Sequence, residues 1–208
     1  MDNQNDELLR LTLKERDAGA AVLGRAFAEY ELFRYYFPDE TERRAAANTY
    51  ASVSLSVCLK YGGVYASSEK IKGVAAWLPP GKAPFGARQI IRSVPLSTLF
   101  RFGRQEAGRM RSYGRLVDNL HRGLVPYPHW YLQIIGVGPA YQGQGFSSRL
   151  LRPVLERIDR ERMPCYLETN SGKNVAIYRR FGFEVVSEDR MPGTELTIFA
   201  MLRKPPTP

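Results

Sequence analysis

The residues Val137-Gly-Pro-Ala-Tyr-Gln-Gly-Gln-Gly-Phe-Ser147 are the part of this chain best suited to chemistry. An apolar run ends at Val137, a glycine-bearing turn covers Gln142 to Gly145, and helical spacing begins at Phe146. Strand, tight turn and helix in that order gather backbone N–H groups at a helix N-terminus, which is a seat for a pyrophosphate. Gly143 and Gly145 fit, because a side chain there would hold a phosphate away from the amides. A plain structural turn is the alternative reading. The run is not a Walker loop, since no Gly-Lys-Ser/Thr follows. Nor does it carry the third glycine and the following-strand acid of a Rossmann fingerprint. A second group lies downstream. Asn174 and Tyr178 stand four residues apart and share one helix face. Gly182 suits that helix's C-terminal cap, and Phe181 and Phe183 pack the turn. Tyr178 reads either as a half-buried core tyrosine or, beside a phosphate turn one strand–helix step upstream, as a functional one.

These residues need elements to position them. Leu8 to Leu13 reads as a short strand and Glu15 to Tyr30 as a helix whose inner face is Ala20, Leu23, Ala26 and Phe27. An aromatic cluster, Tyr30, Phe33, Tyr35, Tyr36 and Phe37, ends at Pro38. Asp39 with Glu42 reads as a capping pair that opens a helix running to about Tyr61. Val64–Ser67 and Gly73–Leu78 read as antiparallel strands, followed by a helical insertion at about residues 82–128, with helices over Ala87–Ser93 and Leu96–Leu124. From Trp130 the pattern is dense. Strands are expected at Trp130–Val137, Pro164–Thr169, Phe183–Ser187 and Leu196–Leu202, and helices at Phe146–Arg162 and Ser171–Arg180. Pro153 falls inside the first of those helices, so a bend is expected there. The fold class is α/β (α+β), one domain over residues 1–208 with helices on the faces of a sheet.

Bulk composition excludes several classes. The chain has 208 residues, 44% hydrophobic and 25% charged, with no low-complexity tract, which is enough for one well-buried domain. Its apolar runs are far short of a membrane span, which needs about 18 residues, and Met1–Leu9 lacks a signal-peptide core. Cys58 and Cys165 show no metal or redox spacing, which fits a reduced, cytoplasmic compartment. The net charge of +9 comes largely from scattered arginines such as Arg109, Arg111, Arg115 and Arg152. These read as solvated helix faces that also favour a phosphate-rich ligand. No nucleic-acid-binding signature accompanies them, so neither nucleic acid nor membrane is expected as a partner.

Gln142-x-x-Gly145-x-Ser147, Leu167-Glu-Thr-Asn170 and Tyr178-x-x-Phe-Gly-Phe183 together resemble the GNAT superfamily of acetyl-CoA-dependent N-acetyltransferases. The family pattern is Gln/Arg-x-x-Gly-x-Gly/Ala, so Ser147 is a small-residue departure. Trp130-Tyr-Leu, Gly136-Val-x-Pro139, Leu151-x-Pro153, Leu167-Glu-Thr169, Asn174, Tyr178 and Met201-x-Arg-Lys-Pro205 are similar to its puromycin N-acetyltransferase-like branch. The resemblance is specific over about Pro126–Pro205 and diffuse before it.

The resemblance implies a mostly antiparallel sheet with a splayed strand pair, helices on both faces, and acetyl-CoA between the splayed strands. The backbone of Ile135, Gly136 and Val137 would pair with the pantetheine arm, and Gln142, Gly143, Gln144, Gly145, Phe146 and Ser147 would hold the pyrophosphate. Asn174 would bond the arm, Tyr178 would protonate the leaving sulfur, and a strand N–H near Ile135 would polarise the thioester carbonyl. Many family members carry a carboxylate where Gln133 stands, so Glu168 becomes the candidate base. Its alternative is a structural carboxylate bonding the Asn170–Ser171 loop. Tyr30, Phe33, Tyr36 and Trp130 would wall the acceptor, a small-molecule primary amine. His121 is expected in a loop or at the surface, and His129 near the acceptor. No metal is implied, and the chain is expected as a monomer or homodimer. Protein or polyamine amines, or an acyl-CoA-binding role without catalysis, are the competing readings.

Overall fold

The computed structural model describes residues 8–99, 104–191 and 193–205. Residues 100–103, within the helix expected over Leu96–Leu124, lie outside them. Seven strands form one sheet in the order β1-β2-β3-β4-β5-β7-β6. These are β1 Leu9–Arg10, β2 Gly63–Ala66, β3 Gly73–Leu78, β4 Trp130–Val137, β5 Cys165–Thr169, β6 Glu184–Arg190 and β7 Thr197–Arg203. Every pairing is antiparallel except that of β4 with β5. The mixed, mostly antiparallel sheet with helices on both faces is the architecture expected from the sequence.

Helices α1 (Arg16–Phe27) and α3 (Glu40–Tyr61) cover one face, and α7 (Phe146–Arg160) and α8 (Gly172–Arg179) cover the other. Strand periodicity explains how β3 serves both. Val74, Ala76 and Leu78 enter the core under α1 and α3, whereas Ala75 and Trp77 enter the core under α7. Asp39 caps α3 as its spacing with Glu42 predicts, accepting from the Glu42 amide at 2.9 Å. The stripe Phe146, Leu150, Leu151, Val154, Leu155 and Ile158 is buried, and α7 continues unbroken through Pro153. Burial of that stripe outweighs the roughly 3 kcal/mol that an interior proline costs.

Three further helices, α4 (Ala87–Ser93), α5 (Leu96–Leu99) and α6 (Arg104–Leu124), lie between β3 and β4. Near its start the chain forms α2 (Glu31–Tyr36), which joins α3 and side chains of α6 in a third core with Phe33, Tyr36, Phe37 and Ile198. Arg109, Arg111 and Arg115 are exposed on α6, in keeping with a solvated face. The first strand is shorter than the apolar pattern predicts. Glu15 Oε2 accepts from both the Thr12 amide (2.8 Å) and the Thr12 hydroxyl (2.6 Å), which turns the chain into α1. Among the described residues, no helix is long and apolar enough to cross a membrane.

Candidate active site

Strands β4 and β5 pair only at Trp130↔Cys165 and Tyr131↔Tyr166, and then part. Across β4, Ala76 lies opposite Ile134 and Trp77 opposite Leu132, so Gln133 is the extra residue of a β-bulge at the point of parting. From Leu132 onward the β5-facing edge of β4 has no strand beside it among the described residues, so its backbone groups face a cavity of about 590 Å³. Leu132 to Val137 line the cavity on one side, and Leu167 to Ser171 on the other.

The glycine turn closes one end of this cleft. Gly143 and Gly145 hold φ of +77° and +80°, a left-handed conformation that glycine adopts at least cost. Gly145 is the N-cap of α7 and offers no side chain to the helix's first amides, which leaves them to an anion. Gln142 folds back, its Nε2 donating to the Val137 carbonyl at 3.2 Å, and so fixes the turn against the end of β4. Gln142, Gly143, Gly145, Phe146 and Ser147 line the cavity with Ile135, Gly136 and Val137. Gln144 does not; its amide bonds the Ala140 carbonyl on the exposed side of the turn. A free strand edge that leads to uncapped helix amides fits a ligand with an amide-bearing arm and a diphosphate.

The other end is lined by side chains from distant parts of the chain. Tyr178, on α8, is 8% exposed, and burial raises its pKa well above that of an ordinary phenol. Asn174 donates to Thr169 Oγ1 at 3.3 Å. Tyr30 also bonds Thr169 Oγ1 (2.8 Å) and accepts from the Asn170 amide (2.6 Å), so it ties the α1–α2 corner to the end of β5. Tyr113 of α6 donates to Asn170 Oδ1 at 2.8 Å. Phe33, Tyr50, Glu29 and Glu31 complete the wall, with Lys173 at its edge. Two of the proposed acceptor contacts fall elsewhere. Tyr36 packs in the third core against Tyr113, with ring centroids 6.5 Å apart. Trp130 donates its indole N–H to Glu161 Oε2 at 2.7 Å on the α7 face.

Glu168 is the most perturbed acid of the site. Its side chain is 4% exposed. Oε2 accepts from the Tyr131 hydroxyl at 2.7 Å, while Oε1 has no hydrogen-bond partner. Burial pushes its pKa up to about 8, opposed chiefly by the hydrogen bond from Tyr131. The structure corrects the expectation for His121: it is 1% exposed on α6, with Nδ1 3.7 Å from Glu168 Oε1. His129 does not reach the cavity. Its Nε2 lies 2.6 Å from His121 Nε2. Nothing in the sequence pointed to Tyr131, His121, Tyr50 or Tyr113, which stand 37, 47, 118 and 55 positions from Glu168 in the chain.

A parted strand pair, an amide-lined turn beside it, and a buried carboxyl and phenol in the gap define a site for group transfer from a donor with an anionic handle. The model of the Acetyltransferase (GNAT) family matches residues 79–183, and the chain belongs to that family. An uncharacterized N-acetyltransferase of Schizosaccharomyces pombe is 28% identical over 117 residues, covering 53% of this chain and 47% of its own. The chain spans less than half the length of the curated relatives it matches. Among solved structures, a histone acetyltransferase HPA2 and related acetyltransferase from Corynebacterium glutamicum shares the fold at TM-score 0.61 and 22% identity, over 97% of each chain. A mosquito arylalkylamine N-acetyltransferase like 5b shares it at TM-score 0.62 and 17% identity, over 95% of this chain and 99% of its own.

Proposed function

We propose that the protein is an acetyl-CoA-dependent N-acetyltransferase that acetylates the primary amine of a small molecule by direct transfer in a ternary complex. The observation that carries this reading is the parting of β4 from β5 beside the uncapped start of α7, with Glu168 buried in the gap. The one domain holds both halves of the site, and its helical insertion contributes Tyr113 to the acceptor wall. The similarity to the puromycin N-acetyltransferase-like branch and the aromatic wall of Tyr30, Phe33, Tyr50 and Tyr113 both favour a small acceptor.

Bound acetyl-CoA would supply an acetyl group activated as a thioester. The amides of Gln142 to Ser147 would hold its diphosphate, and the backbone of Ile135 to Val137 would pair with its arm. A strand N–H near Ile135 would donate to the acyl oxygen as it gains charge. A free alkylammonium must lose a proton before it attacks, and Glu168 in its ionised form accepts that proton. Tyr178 keeps its proton across the working range, and donating to a thiolate of pKa about 8.5 is uphill for it. Its role is therefore a hydrogen bond to the leaving sulfur that it keeps without giving up its proton; the thiolate takes its proton from water. Screening the protein with acetyl-CoA against alkyl, arylalkyl, polyamine and peptide amines, with thiol release as the readout, tests the proposal. Release with a small amine supports it, and binding of acetyl-CoA without release from any amine would leave an acyl-CoA-binding protein.

A further inference from the structure

His121 of the helical insertion and His129, just before β4, stand behind Glu168, and with both rings neutral their hydrogen bonds fix both tautomers. The Tyr127 carbonyl can only accept, so His129 Nδ1, 2.6 Å away, carries a proton. A neutral His129 then presents a bare Nε2, and His121 Nε2 must donate to it across 2.6 Å. A neutral His121 in turn presents a bare Nδ1 to Glu168 Oε1. Those two atoms have no other partner, and both are buried. A bare ring nitrogen facing Oε1 at 3.7 Å, with no hydrogen bond between the two, favours the protonated carboxyl over the carboxylate.

We propose that His121 and His129 are positioning residues whose tautomers turn the bare Nδ1 of His121 toward Glu168 and so raise the pH at which Glu168 becomes a base. This rests on the reading of Glu168 as the proton acceptor for the amine. The groups facing this row are Tyr131 of β4, Tyr166 of β5, Tyr50 of α3, and Tyr113, Asp118 and Arg122 of α6. Burial, then the neighbouring His129 and Arg122, hold His121 near a pKa of about 3. Burial also lowers His129, with its bond to Tyr127 opposing. Both shifts favour the neutral rings that the tautomer assignment requires.

The test follows the Glu168 carboxyl in the intact protein, without acceptor or acetyl-CoA. Its protonated C=O stretch is read by infrared spectroscopy across pH and assigned by its loss in Glu168→Gln. His129→Phe frees His121 to place its proton on Nδ1 and donate to the carboxylate. The Glu168 midpoint should therefore fall by about one pH unit or more, a tenfold effect, although residue 129 never touches Glu168. His129→Gln, whose amide oxygen accepts from His121 Nε2, should restore the wild-type midpoint. An unmoved midpoint in folded His129→Phe overturns the proposal. If that variant fails to fold, nitrogen NMR of histidine in the wild type decides, since any tautomers other than His121 Nε2–H and His129 Nδ1–H overturn it. Unchanged turnover in Glu168→Gln would instead remove the base reading while leaving the tautomer result standing.

Discussion

Replacing Glu168 with glutamine tests the site through stability as well as rate. The native carboxyl has a pKa of about 8 against an ordinary 4.5. Between those values the folded protein holds a proton that the unfolded chain has lost. Its contribution to stability is complete below about 4.5 and disappears as pH rises through about 8. At about 1.4 kcal/mol per pH unit, the carboxylate costs the folded state on the order of 4–5 kcal/mol above that range. Glutamine imitates the protonated acid: its amide can donate toward His121 Nδ1 while its oxygen accepts from Tyr131. Glu168→Gln should match the wild type near pH 5 and exceed it increasingly toward pH 9, while losing turnover throughout. His121 and His129, both lowered, stabilise the fold above their ordinary 6.5 and lose that contribution as pH falls. That trend is common to both proteins and cancels in the difference. Urea unfolding followed by circular dichroism at a series of pH values gives the curve. A difference that stays flat from about pH 5 to about pH 9 would refute the argument that burial controls this carboxyl.

Three other substitutions probe separate parts of the cleft. Tyr178→Phe should lower kcat at least about tenfold with little change in acetyl-CoA affinity, measured by steady-state kinetics and calorimetry; unaltered kcat removes the phenol from the chemistry. Gly145→Asp should abolish acetyl-CoA binding. A Cβ at that position meets nothing within 4 Å, and the left-handed φ costs only about 1–2 kcal/mol, so the fold should survive to show the loss by calorimetry. Tyr30→Phe strips the Asn170 amide of its acceptor and should cost about 1–3 kcal/mol in denaturant unfolding. The same variant should raise KM for the acceptor more than for acetyl-CoA.

Where the chain is short-looped, local pattern was enough to locate the elements. The bounds of β3, β4 and α4 match the apolar runs, and Asp39 caps α3 as its spacing with Glu42 requires. The edge strand β6 runs on to Arg190 beyond the expected Ser187, because its alternation of exposed and half-buried residues carries little apolar signal. The glycine turn was legible because its residues lie within one contiguous run. The surroundings of Glu168 were not. Tyr131 and Glu168 meet because β4 and β5 pair in parallel at the point where they begin to part, a register that neither strand's sequence encodes alone. His121 looked like a surface residue near the end of a polar helix. What buries it is packing against Tyr131 and Tyr166, with ring centroids 4.7 Å and 4.6 Å away.

This contrast has a consequence for how the site can vary. The donor end is one continuous run of backbone, β4, turn and α7, so its recognition depends on φ values and free amides more than on side chains. The acceptor end is assembled from single side chains on α1–α2, α3, α6 and β5, joined through Thr169 and Asn170. Changes in the helical insertion can therefore reshape the proposed acceptor wall or retune the Glu168 proton while leaving the glycine turn intact. Because Tyr113 and His121 lie on the same helix, acceptor shape and proton control move together. On the proposed function, a protein that exchanged α6 for another helix should change the amine it accepts and its pH profile at once, with its affinity for acetyl-CoA unchanged.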